Sequence, residues 1–252
     1  MRTIQKYIGF FFTVVFLLTS CLGCWSRGRN QSDLAEHCST SVTQMEELWN
    51  NHPFPERLKD GNFYVHEAGD FDPNRYFEVL THLSMQEGYV LDWVYASLPE
   101  FTGYPIVYAR REETESFKTL AELSVYYDEI DPANAGKEDH GIHGDYLSKI
   151  VLDGTDESYL EFTFLALLSE NFYLYWHAGY GKSDIVCGEE MLDAVLSQIS
   201  VYSSEEELND ITKQTKKIYF NPSVTVDDDN VYVSLITFNL WDGFDEVTYK
   251  MG

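Results

Sequence analysis

The period of the apolar positions changes several times along this chain. Tyr7–Leu18 is a twelve-residue greasy run broken only by Gly9 and Thr13, well short of the ~20 residues a transmembrane helix needs. Residues 22–33, "LGCWSRGRNQSD", are polar with no apolar period, which predicts a flexible tether. We place the tether at residues 21–44 and one domain at 45–252, with a short helix in "SVTQMEELW". Asp72-Pro73 pairs an N-cap residue with proline at the first helical position, and Tyr76, Val79, Leu80 and Leu83 continue at helical spacing up to Gly88. "YVLDWVY" then alternates as a strand does, and "IVYAR" supplies a second.

Residues 76–95, "YFEVLTHLSMQEGYVLDWVY", and 159–178, "YLEFTFLALLSENFYLYWHA", align without a gap and share Tyr, Glu, Glu, Leu and Trp. This pattern predicts a duplicated helix–strand–loop–strand unit, with copies over 70–145 and 153–200. "GEEMLDAVLSQI" has clear helical spacing, and Ser204-Glu205-Glu206-Glu207 is a capping-box pattern opening another helix. "SVTV", "VYVSLITF" and "FDEVTYKM", separated by "DDDN" and Asp242-Gly243, read as a three-stranded meander. The expected class is α+β, an antiparallel sheet with helices on one side.

The start of the chain carries the clearest chemistry. Arg2 and Lys6 precede the apolar run, and no acidic residue occurs before position 33; this is the secretory signal pattern. Leu18-Thr19-Ser20-Cys21 resembles the lipobox of bacterial lipoproteins. That resemblance implies a signal peptide over 1–20, cleavage before Cys21, and palmitate-type acyl chains on the Cys21 sulfur and the new amine. An ordinary secretory signal or an uncleaved anchor are the alternatives. Two or three chains make attachment to a membrane effectively permanent, so the expected location is extracytoplasmic, on the bacterial cell envelope. The mature domain resembles uncharacterised exported proteins of bacteria.

Charge narrows the partners. The chain has 17 basic and 42 acidic residues; loss of Arg2 and Lys6 leaves 15 basic and a net charge near −27. Such a body repels a phosphate backbone, which excludes nucleic acid, and stands off an anionic bilayer. A basic protein or a glycan is the expected partner. Aromatic residues are numerous, with 18 Tyr and 16 Phe. Beyond Cys21, the cysteines are Cys24, Cys38 and Cys187. Cys24 and Cys38 are close enough in sequence to pair, and Cys187, inside an apolar run, reads as a buried thiol.

No motif supplies a complete catalytic set. "GYGKS" ends like a phosphate-binding loop but has Trp176 where its first glycine belongs. Asp70-Phe71-Asp72 starts like a calcium loop and then has Arg75 and Thr81 at the positions that need Gly and Glu. "EDHGIHGDY" holds His140 and His143 among carboxylates, a weak metal-binding candidate. Asp92 stands on an apolar strand face with Val90 and Val94 and needs a partner, Arg110 or Arg111. Tyr173, Tyr175 and His177 would line one strand face, a candidate binding surface. No cofactor is implied. The expected function is therefore non-enzymatic binding of a macromolecule or glycan by a tethered lipoprotein. A hydrolase or metal-dependent enzyme, and an immunity-type inhibitor of a basic protein, are the alternatives.

Overall fold

The computed structural model describes residues 31–58, 67, 69–98, 102–130, 145–175, 183–201, 204–227, 229–239 and 243–252. Cys21, Cys24, His140, His143 and His177 lie outside them. The fold is α+β, and every strand pairing among the described residues is antiparallel. Among the described residues, no helix is long and apolar enough to cross a membrane.

The first element, α1 (Gln31–Asn50), is a 20-residue helix. It begins inside the segment expected to be tether, so the ordered body starts well before residue 45. Cys38, Val42, Met45 and Leu48 are buried along one stripe, and their three- and four-residue spacing is that of a helix face. The burial of this stripe, rather than local propensity, holds residues 31–40 helical.

A 3-10 turn, Pro73–Arg75, opens as expected: the Asp72 side chain accepts from the Asn74 N–H. The helix that follows is shorter than its spacing predicts. It comprises α2 (Tyr76–Val79) alone, and Leu80 leaves the helical region. Leu83–Met85 instead forms β1, paired with β4 (Ile150–Leu152). β2 (Tyr89–Leu98) and β3 (Thr102–Arg111) form a two-stranded ribbon. Its alternation divides two cores. Leu91, Trp93, Tyr95 and Val107 enter the main one, whereas Val94, Ala96, Ile106 and Tyr108 pack with Leu123 and Tyr127 of α3 (Leu120–Ile130). Gly103 is required here, because a Cβ would meet the Tyr95 ring at 2.5 Å. The free edge of β3 is satisfied locally: Gly103 exchanges backbone hydrogen bonds with Tyr175, and the Val107 N–H donates to Glu170.

α4 (Asp156–Leu168) is the central helix. Leu160, Phe164, Leu165 and Leu168 are buried, as are Ser158, Glu161 and Thr163, the pattern of a helix enclosed on all sides. The C-terminal meander forms as expected, with β7 (Asn230–Asn239) between β6 (Ser223–Asp227) and β8 (Gly243–Met251). β5 (Asp184–Val186) extends the β6 edge of β7. Helices cover both faces of this sheet. Val233 and Leu235 join the main core with α4, while Ile236 and Phe238 pack with Val195 and Ile199 of α5 (Glu189–Ser200) and Leu208 and Ile211 of α6 (Glu205–Thr215).

The two aligned segments, 76–95 and 159–178, do not share their local structure. The first contains a four-residue helix, β1 and the start of β2; the second, over its described residues 159–175, contains the last ten residues of α4 and then a turn.

The cysteine readings are corrected as well. Cys38 forms a disulfide with Cys187, Cα–Cα 5.6 Å, across 149 residues of sequence. Neither the pairing of Cys38 with Cys24 nor a free Cys187 thiol is compatible with this bond. Both half-cystines are buried, so the bond ties α1 to the end of β5 inside the main core.

Candidate functional site

Part of the tyrosine-rich composition is spent on the interior, where Tyr76, Tyr95, Tyr108, Tyr127, Tyr146 and Tyr173 are buried. The Tyr76 hydroxyl accepts from the Trp49 indole N–H at 2.8 Å and donates to the Ser169 carbonyl at 2.7 Å. The Tyr146 hydroxyl meets the Leu165 carbonyl and Ser169 Oγ. Burial raises both hydroxyls above the ordinary tyrosine pKa, which keeps them neutral and available as donors.

Of the face expected for Tyr173, Tyr175 and His177, Tyr173 departs from a strand surface, and His177 lies outside the described residues. Tyr173 has φ 54°, a left-handed conformation that interrupts the alternation. Its side chain is buried: the hydroxyl accepts from the Phe71 N–H, and its backbone carbonyl accepts from the Tyr95 hydroxyl. Tyr173 and Tyr175 both pack against the Phe54 ring, at 6.2 and 5.3 Å between centroids. Asp92 is resolved as an internal ion pair. Its carboxylate meets Arg110 Nε at 2.6 Å and accepts from the Trp93 N–H and the Ser116 hydroxyl.

A different cluster brings chemistry together. α1 contributes His37, the turn before β1 contributes His82, and the middle of α4 contributes Glu161. Glu161 is fully buried, and both of its oxygens are used. Oε1 lies 2.9 Å from His37 Nε2, and Oε2 accepts the His82 backbone N–H at 2.8 Å. The two imidazole rings meet edge to face, 5.5 Å between centroids. One donor atom from each of the three residues lies within 4.8 Å of the others. The imidazoles are about a quarter to a third exposed, at 24% and 32%, so the cluster opens to solvent on one side while its carboxylate is sealed.

The turn between β4 and α4 fixes the second imidazole. The Asp153 Oδ1 accepts from the Thr155 N–H and hydroxyl, and the Thr155 Oγ1 in turn caps α4 by accepting from the Ser158 N–H. Asp153 Oδ2 lies 2.7 Å from His82 Nδ1. Being ionised, Asp153 only accepts, so Nδ1 carries the proton, and the ring in its neutral form presents its lone pair at Nε2. Hydrogen bonds from Thr155, then from His82, hold Asp153 well below the usual carboxylate range. Burial pushes the His82 pKa down, but the Asp153 hydrogen bond and the charges of Glu161, Asp153 and Glu157 outweigh it, and the net shift is upward.

The sequence offered no spacing that joins residues 37, 82 and 161. One signal was legible: Glu161 is a lone acid inside "YLEFTFLALL", and a carboxylate in such a helix requires a strong partner. A concave feature lies elsewhere, on the C-terminal sheet: a groove of about 400 Å³ lined by residues that include Lys217, Tyr219, Asn221, Asp245 and Glu246. Tyr219 is 61% exposed there. No family model, curated protein or solved structure matches the chain.

Proposed function

We propose that this chain is a lipid-anchored, extracytoplasmic protein of the bacterial cell envelope whose acidic, aromatic domain binds a glycan. The observation that carries the compartment is the buried Cys38–Cys187 bond, since structural disulfides persist in oxidising compartments and are rare in the cytosol. It agrees with the export signal and with the lipobox ending at Cys21. α1 begins at Gln31, so the ~10 intervening residues reach at most ~35 Å when fully extended.

Support for a glycan comes from the groove beside β8. An exposed aromatic ring, an amide and two carboxylates are the groups that take the apolar face and the hydroxyls of a sugar. A basic protein is the second reading, favoured by the net charge.

Two experiments test this reading. Cys21→Ser is expected to abolish acylation, seen as loss of the lipid mass in the intact protein and of partitioning into detergent; unchanged mass and partitioning would remove the anchor. Tyr219→Ala is expected to weaken binding to cell-wall oligosaccharides about tenfold by calorimetry, or ~1.4 kcal/mol. Equal affinity in the variant would remove the groove from the reading, and a complex with a cationic protein that dissolves steeply with salt would favour the second one.

A further inference from the structure

We infer that His37, His82 and Glu161 bind one divalent cation of the zinc class, with Asp153 as the positioning residue of His82. The inference is independent of the lipid anchor and of the groove.

The donor set comes first. Two imidazoles and one carboxylate are the nitrogen and oxygen ligands that zinc and its neighbours accept at ~2.0–2.2 Å. Calcium and magnesium prefer oxygen alone and are disfavoured. Tetrahedral bonds of that length put ligand atoms roughly 3.3 Å apart. His37 Nε2 and Glu161 Oε1 are already 2.9 Å apart, so a cation takes the place of the proton between them after a small opening of the pair.

The second imidazole is oriented in the manner that metal-binding histidines require. Its Nδ1 is engaged by Asp153 Oδ2, and Asp153 is itself fastened by Thr155. A carboxylate behind a histidine fixes the tautomer and makes the other nitrogen a better ligand. Glu161 and Asp153 together bring two negative charges, which match a dication.

The supports are rigid as well. Glu161 projects from the most enclosed helix of the fold, and its other oxygen is held by the His82 backbone N–H. His37 is adjacent to Cys38, whose disulfide fixes that turn of α1. Three protein ligands and a solvent-facing side leave the fourth coordination position to water or to an oxygen ligand from outside.

The test uses full-length protein in detergent, stripped with a chelator and then dialysed against Zn²⁺ or Co²⁺. Elemental analysis is expected to give one metal per chain, and Co²⁺ to give the visible absorption of a four-coordinate site. His37→Ala, at the partly exposed rim, is expected to abolish stoichiometric uptake with its circular dichroism unchanged. Asp153→Asn is expected to lower affinity 10–100-fold. The inference fails if the wild type takes up no stoichiometric metal. It also fails if His37→Ala retains the metal while replacement of His140 and His143 removes it.

Discussion

Replacing Cys38 with serine is expected to lower the free energy of unfolding by roughly 2–5 kcal/mol, the upper end following from the length of the loop. The bond closes 149 residues, and in the chain-entropy account a longer loop leaves the cross-linked unfolded state with more to lose. Both sulfurs are also enclosed, so their loss disturbs packing between α1 and the end of β5. For a domain of this size the midpoint of thermal unfolding should fall by about 10 °C. Chemical denaturation measures the effect directly. Cys187→Ser and the reduced wild type should match Cys38→Ser, and Cys24→Ser should behave as oxidised wild type. If Cys24→Ser alone reproduced the loss, the Cys38–Cys187 pairing would be wrong.

The second large effect is expected at Asp92. Asp92→Ala should cost about 3–5 kcal/mol, the range seen when one partner of a buried ion pair is removed. Three donors converge on this carboxylate: Arg110 Nε, the Trp93 N–H and the Ser116 hydroxyl. The Asp92 side chain is 5% exposed and that of Arg110 21%; the guanidinium keeps its Nη1 contacts to the Arg111, Glu112 and Thr114 carbonyls, so the loss falls on its Nε, the Trp93 N–H and the Ser116 hydroxyl. Asp92→Asn keeps an acceptor for the Trp93 N–H and should lose less. Equilibrium unfolding in urea compares the two; a loss below ~0.5 kcal/mol for Asp92→Ala would show that the pair is not the fastener of the β2–β3 ribbon.

The pairing of Asp92 with Arg110 was legible because its evidence is local. A hairpin puts the end of one strand beside the start of the other, and a charge on an apolar face then has few partners to choose from. The same holds for the Asp72 cap, which needs only two residues of neighbouring backbone. α1 was legible only in its second half. In residues 31–40, "QSDLAEHCST", only Leu34, Ala35 and Cys38 are apolar, and the helix depends on a core supplied by distant segments. The helix expected to reach Leu83 stops at Val79 because Leu83 pairs with Leu152, a contact that overrides the spacing. Tyr173 misled for a similar reason. Its left-handed backbone turns an alternating run inward, and the Phe71 and Tyr95 hydrogen bonds reward that turn.

Letters close together were enough for the α+β class, the β2–β3 ribbon, the C-terminal meander and the helices over 189–200 and 205–215, since strand alternation, capping and turn chemistry act within a few residues. Packing alone chose the pairing of Cys38 with Cys187, the burial of Tyr76, Tyr146 and Tyr173 and the meeting of His37, His82 and Glu161. The disulfide and the His37, His82 and Glu161 cluster join residues 45 to 149 apart, and at such separations only the closed chain brings one residue to another.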